Sequence, residues 1–429
     1  MREDLAKRGV RNMEAVELGL REAIGKDARR ILEALYVDPN LTIPDGQGRP
    51  GEKRHPARPK TVQTLFGPIT LRRTYFYRED IDQGRAPLDE ALGLIDGYSP
   101  ALVRLADRAA ARMGYENASA DLAALANVQV EGRQIQRLVN RTAAGVAKQR
   151  PALKGDKDGS SIPVLYIEVD GTGVPMMPKE LEGRAGKQPD GSAKTREVKL
   201  GCVFTQTKTD QEGLPMRDYQ STTYVGSFAS AEHFGGLIRA EALRRGLGRT
   251  QRVVFLGDGA TWIWELARVN FPGAVQVLDL YHALERLHAL CEGLYGEGTI
   301  WAERMNERWA QMFKQDKIGE VIAAARKRLR DLGKQPDPSL DTQIAYFENH
   351  AQRMLYLSFH NQGLFCGSGV VEAGCKTIVG QRLKHSGMFW SEAGATSILD
   401  LRCLLLSGLW DLCWNRLNDC AYLDSRAVA

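Results

Sequence analysis

LYIEVDGTGVPM, residues 165–176, sets an apolar run directly before an aspartate and two glycines. Val164 to Val169 has the length and the bounding residues of a buried strand. Asp170 then reads as a carboxylate at a strand end, rigidly held and, beside Gly171 and Gly173, open to an approaching ligand. The plainer reading is a turn, because Asp-Gly is a common turn dipeptide. Two later strands also run into acids: Arg252–Leu256 leads to Gly257-Asp258-Gly259, and Ala274–Leu278 leads to Asp279. Strands at Glu197–Thr205 and Tyr219–Val225 and helices at Glu232–Arg244 and Thr261–Val269 fill the intervals, an α/β pattern. In a sheet with parallel members, ligands gather at the carboxyl ends of the strands, so separate acids can converge there.

With 429 residues, 43% hydrophobic and 26% charged, the chain has room for two or three domains and the composition of a soluble globular protein. A net charge of +5 permits contact with nucleic acid without demonstrating it. The opening MREDLAKRGVRNMEAVELGL is charged and amphipathic, unlike a signal peptide. The most apolar stretch, LRCLLLSGLWDLCW, is broken by Arg402 and Asp411, so no membrane span is expected. Seven scattered cysteines, with no Cys-x-x-Cys pair, support neither a disulfide framework nor a zinc ribbon and predict a reduced, cytoplasmic protein.

Upstream of the α/β region the chain reads in three parts. Residues 1–52 are an N-terminal helical segment and linker; the Pro/Gly-rich loop is read over Asp38–Lys60. Residues 53–98 form a basic region around a β-hairpin, TVQTLFGPITLRRTYFYRED, turning at Gly67-Pro68. Its Arg72 and Arg73 suit phosphate contact or a solvated face equally. Residues 99–153 read as helices with a helix-turn-helix outline, whose second helix carries Arg133, Gln134, Arg137 and Arg141, types that reach base edges and phosphates. KGDKDGSS, residues 154–161, is the clearest boundary. Residues 162–282 then form the first part of a core, 283–360 a helical insertion, and 361–429 the core's C-terminal part.

The acids suggest a metal site. Asp170 and Asp258 offer hard oxygen ligands on rigid supports, as Mg²⁺ or Mn²⁺ requires. GSGVVEAGCKTIVGQRLKHSG, from Gly367, supplies a third carboxylate, Glu372, in the first turns of a helix. An Asp, Asp, Glu set of this kind can hold two ions for phosphodiester chemistry. His282 either positions a phosphate or packs at a helix start against Asp279. Lys376, Arg382 and Lys384 form a basic helical face for phosphates or for solvent. Trp390 could stack on an unpaired base or anchor its loop to the core.

The order VDGTGVPM, LGDGATWIWELA, DLYHALERLH and GSGVVEAGCKTIVGQRLKHSGMFW resembles the ISKra-type insertion-sequence transposases, as do LFGPITLRRTYFY and EVKLGCVF. The resemblance implies the DDE group: an α/β ribonuclease-H-like catalytic core with a helical insertion, behind a mainly helical DNA-binding region containing a β-hairpin. It makes Asp170, Asp258 and Glu372 the catalytic, metal-binding triad for two Mg²⁺ or Mn²⁺ ions, with Asp279 and His282 as supporting residues. It also implies terminal-repeat and target DNA as partners, assembly at least as a dimer, and a nucleoid-associated bacterial protein. YREDIDQGRAPLD stands where some relatives carry a cysteine pair, so no zinc is inferred. The rival reading is a catalytically silent, transposase-derived DNA-binding protein.

Overall fold

The computed structural model describes residues 13–36, 47–153, 160–186, 188, 191, 193–333 and 338–427. The helical reading of residues 1–12 and the linker readings of 37–46 and 154–159 lie outside them. Contacts divide the chain into two units: one runs to Arg150 and resumes at Leu409, the other is Pro151–Gly408.

In the first unit, β1 (Lys53–Thr64), β2 (Gly67–Arg78) and β3 (Gln83–Arg85) form an antiparallel sheet in that order. The strand therefore begins at Lys53, inside the stretch read as loop. Pro56 and Pro59 argue against a strand, but β1 lies at the sheet edge, where a missing N–H is tolerated. The register also shifts between His55 and Arg58 to absorb them. Val62, Ile69 and Leu71 make the hairpin's buried face. On it packs α1 (Met13–Leu35) through Leu32, while Arg29 donates to the Phe66 carbonyl at 2.6 Å.

A short α2 (Pro87–Ala91) precedes three helices: α3 (Pro100–Arg112), α4 (Tyr115–Ala126) and α5 (Gly132–Ala147). Ser99 caps α3 with Pro100 behind it, and Glu131 and Gln134 form a capping box on α5. Leu102, Val103 and Ala106 of α3 and Ile135, Leu138 and Val139 of α5 are buried at helical spacing, so each helix turns one apolar stripe inward.

The second unit is built on a five-stranded sheet of order β10-β9-β4-β5-β8. Its strands are β4 (Ile162–Pro175), β5 (Thr195–Gln206), β8 (Thr223–Ser227), β9 (Thr250–Gly257) and β10 (Val275–Leu278). A two-stranded ribbon, β6 (Lys208–Thr209) with β7 (Pro215–Met216), interrupts the series. β4, β9 and β10 are mutually parallel; β5 alone is reversed, antiparallel to its neighbours β4 and β8. Over the sheet lie α6 (Ala231–Arg244), whose Phe234 and Ile238 sit on Gly201, and α7 (Thr261–Asn270). Helices α8 (Leu280–Tyr295), α9 (Ile300–Phe313), α10 (Ile318–Asp331), α11 (Pro338–His350) and α12 (Tyr356–Asn361) follow. Then come α13 (Gly369–Gly374), a π-helical turn (Cys375–Gly380), α14 (Gln381–Leu383) and α15 (Glu392–Leu406).

Two readings change here. β4 does not stop at Asp170: it leaves its parallel partner after Glu168–Leu256 but stays paired with β5 to Pro175–Thr195. Gly171 and Gly173 are therefore strand glycines. A Cβ at either would lie 2.5 Å from Glu197 Oε1 or 2.7 Å from Thr195 Oγ1, so the missing side chains admit β5 rather than opening a turn. The second change is at the C-terminus. The last helix, α16 (Trp410–Ala427), belongs to the first unit and not to the core segment 361–429. There Arg104 of α3 bonds Asp411 and Asn415, and Arg108 stands 5.9 Å over the Trp410 ring.

The same face of β4 and β5 holds an aromatic cluster, with Tyr166 stacked on Phe204 at 4.8 Å and Phe365 edge-on to both. Phe204 is fully buried. Phe204→Ala is expected to cost about 3–5 kcal/mol in urea unfolding of the second unit; a loss under about 1 kcal/mol would mean that this face repacks around the gap.

Candidate metal centre

Three neighbouring parallel strands deliver three aspartates to one edge of the second unit. Asp170 and Asp258 each lie two residues beyond the last β4–β9 pair, Glu168–Leu256. Asp279 follows the last β9–β10 pair, Gly257–Leu278, and donates its own N–H to the Gly257 carbonyl at 2.9 Å. Each carboxylate is steadied locally. Asp170 Oδ1 accepts from the Gly171 amide at 2.7 Å, and Asp258 Oδ1 from the Ala260 amide at 3.0 Å. Asp279 caps α8, accepting from the His282 amide at 2.7 Å. Gly259, at φ 98°, lets Tyr346 approach and donate to the Asp258 carbonyl at 3.2 Å.

Residues 363–375 bring the fourth carboxylate. Tyr166, Glu168 and Asp170 point to one face of β4, and each grips a successive part of this segment. The Tyr166 hydroxyl accepts from the Phe365 amide at 3.3 Å. Glu168 Oε2 accepts from the Val371 amide at 2.9 Å, and the Cys375 thiol lies 3.3 Å from Asp170 Oδ2. Ser368 completes the hold: its amide donates to Asp279 Oδ2 at 2.6 Å. Its hydroxyl lies 2.9 Å from that oxygen and 3.0 Å from Glu372 Oε1. A hydroxyl has one proton to donate. Two carboxylate oxygens facing it repel unless a further proton or a cation shares the space.

Among the described residues, Asp279, His282 and Glu372 form the compact ligand set, one ligand atom from each lying within 4.8 Å of the others. The expected trio Asp170, Asp258 and Glu372 is not drawn so tight. Asp170 is instead coupled electrostatically to Asp258 and His282. Burial pushes its pKa up, Cys375 and the Gly171 amide oppose this, and the Asp258 charge adds to the rise. Carboxylate oxygens with one imidazole suit a divalent ion of the Mg²⁺–Mn²⁺ kind, the nitrogen favouring Mn²⁺. The donor set fits such an ion.

Residues 7–411 match the Uncharacterised protein family (UPF0236). The chain belongs to this family. A UPF0236 relative from Streptococcus gallolyticus, described as "UPF0236 protein in vanSb 3′region", is 24% identical over 368 residues, covering 82% of this chain and 74% of its own. Among solved structures, the "Drosophila P element transposase strand transfer complex" is similar over 75% of this chain and 81% of that one, at 10% identity and a TM-score of 0.27. A superposition that loose leaves the chemistry of this UPF0236 chain to be argued from its own residues.

The residues proposed for DNA contact fall into two groups. Arg72, Arg133, Arg137, Arg141, Lys376 and Lys384 are exposed. Arg137 and Arg141 meet Asp96 at 3.2 and 3.1 Å, and Lys384 reaches Thr172. Gln134 is engaged in its helix cap. Arg73, Arg382 and Trp390 are internal: Arg73 is buried against Asp89 at 2.6 Å, and Arg382 lies 5.0 Å under the Trp390 ring. Trp390 donates Nε1–H to the Leu383 carbonyl and its amide to the Pro175 carbonyl, so it anchors its loop to the end of β4. Lys376 itself lies in the π turn, Cys375–Gly380.

Ser368 and Glu168 were not singled out by sequence. The signal for Glu168 was present, a lone acid between Ile167 and Val169 in a strand read as buried. Burial raises its carboxyl from 4.5 to about 8, against the Val371 and Val370 amides. The folded chain thus keeps a proton that the unfolded chain releases above 4.5, and this group withdraws stability as pH rises through that window to about 8. Glu168→Gln, permanently neutral, is expected to gain on wild type between pH 5 and 8.5 by on the order of 2–4 kcal/mol in chemical denaturation. A difference that does not change with pH would refute the buried neutral acid.

Proposed function

We propose that the chain is a DDE-type DNA transposase acting through a metal-dependent, ribonuclease-H-like core. The observation that carries the reading is the convergence of Asp170, Asp258 and Asp279, from three adjacent parallel strands, with Glu372 from a segment gripped by the same central strand. Numbered within the second unit, and leaving out the β6–β7 ribbon, the sheet has order 3-2-1-4-5 with the second strand antiparallel to the first. That arrangement supports a ribonuclease-H-like core. The ordered sequence motifs support a transposase.

In this reading Asp170, Asp258 and Glu372 would hold two divalent ions, with Asp279 and His282 beside them. Such ions would supply activation of an oxygen nucleophile and stabilisation of the leaving oxygen of a phosphodiester. Water adds to phosphorus at the element's end, the bond to the 3′-oxygen breaks, and a 3′-hydroxyl and a 5′-phosphate result. That hydroxyl then attacks a target phosphodiester, whose own 3′-oxygen leaves. The chain's residues set the geometry: Asp279 and Ser368 orient Glu372, and Asp258 is fixed by the turn to Ala260. Arg72, Arg133, Arg137 and Arg141 in the first unit, and Lys376 and Lys384 in the second, contact DNA phosphates. Two copies pair two ends.

The test incubates protein with Mn²⁺ and labelled DNA carrying the element's ends, beside Asp258→Asn. Cleavage and joining are expected, reduced by roughly 100-fold or more in the variant, since even supporting residues of metal sites are worth 10–100-fold. End binding without cleavage would select the silent DNA-binding derivative. A second expectation concerns Arg133→Ala, which should weaken end binding and lower the slope of log K against log salt by about 1. An unchanged slope would remove Arg133 from the interface.

A further inference from the structure

We propose that Glu168 is the positioning residue for Glu372, holding the start of its helix from the neighbouring strand so that the carboxylate meets Asp279 and His282. The inference rests on the reading of those three residues as a metal centre and is independent of the DNA chemistry. Glu168 is fully buried in the central strand, between Ile167 and Val169. A carboxyl there is costly, and an aliphatic side chain would fill the space without that cost. Its Oε1 has no hydrogen-bond partner among the described residues. The other oxygen has a definite task.

The first amides of α13 have no carbonyl within the helix to bond, and the N-cap side chain ordinarily takes one of them. The N-cap is Ser368, which makes no such bond. Its hydroxyl is committed to Asp279 and Glu372 instead. Glu168 supplies the missing acceptor, taking the Val371 amide at 2.9 Å and also bonding that of Val370. Val371 adjoins Glu372, and Glu168 stands two residues from Asp170 on the same face of β4. One strand therefore sets the positions of two carboxylates contributed by segments about 200 residues apart in sequence.

The test compares full-length wild type with Glu168→Gln, which keeps an oxygen acceptor, and Glu168→Met, which keeps volume without one. Backbone hydrogen exchange of peptides covering residues 366–376 reads the clamp directly. Mn²⁺ affinity, from the electron paramagnetic resonance of the free ion, reads its consequence. Glu168→Met is expected to melt within a few degrees of wild type, to exchange at least tenfold faster in 366–376 alone, and to bind Mn²⁺ about tenfold or more weakly. Glu168→Gln should stay within threefold of wild type in both readouts. A merely structural residue would move the melting point and exchange throughout the second unit.

The proposal is overturned if Glu168→Met keeps wild-type exchange and affinity, or if Glu168→Gln falls as far as Glu168→Met. Should Glu168→Met fail to fold, the glutamine variant alone decides: retention supports the acceptor role and loss refutes it. Wild type that binds no Mn²⁺ would sink the metal-centre reading, and with it the proposal's purpose for the clamp.

Discussion

Everything in the second unit depends on β4 being paired along both edges while one of its faces grips the returning chain. Backbone bonding to β5 and β9 fixes the strand, and the two-residue period of a strand then fixes Tyr166, Glu168 and Asp170 as a row. A hydroxyl and two carboxyls in a row are an unusual content for a central strand, which ordinarily carries apolar side chains on both faces. Each of the three is answered by a group on residues 365–375. Local hydrogen bonds and side-chain alternation thus place a glutamate about 200 residues away in sequence.

The same row concentrates negative charge. Asp170, Asp258, Asp279 and Glu372 gather at one sheet edge. Glu168 avoids adding to the repulsion by holding a proton, and Asp170 is pushed in that direction. Cys375 is likewise held as a thiol, by burial first and then by the charge of Asp170. At Asp170 a divalent ion would relieve the same crowding, because its two positive charges take the place of a proton.

Much of this was legible beforehand, for identifiable reasons. The three parallel strands of the second unit carry strong β patterns that run into Gly and Asp, so their succession along the chain and the aspartates that follow them could be read directly. The extension of β4 past Asp170 could not, because glycines in VDGTG signal a turn unless the partner strand is known to crowd against them. The strand at Lys53 was hidden by its prolines, which only an edge position excuses. Trp390 read equally well as surface or interior, whereas Arg382 was read only as a surface cation, since helical spacing put it beside Lys376 and Lys384 and gave no sign of its burial. What pattern alone could not supply was the closeness of Asp279, His282 and Glu372, which depends on the Ser368 hydroxyl standing between two of them.

The return of α16 to the first unit has a temporal consequence. A body assembled from both ends of a polypeptide cannot close until the roughly 250 intervening residues have left the ribosome, about 10–50 s at ordinary elongation rates. During that interval α3 lacks the helix that covers Arg104 and Arg108, while the intervening unit is already free to fold. Completion of the first unit therefore reports that α16 has been made, and with it every residue of the second unit. A product stopping before α16 would carry the second unit entire beside a first unit still missing one of its helices.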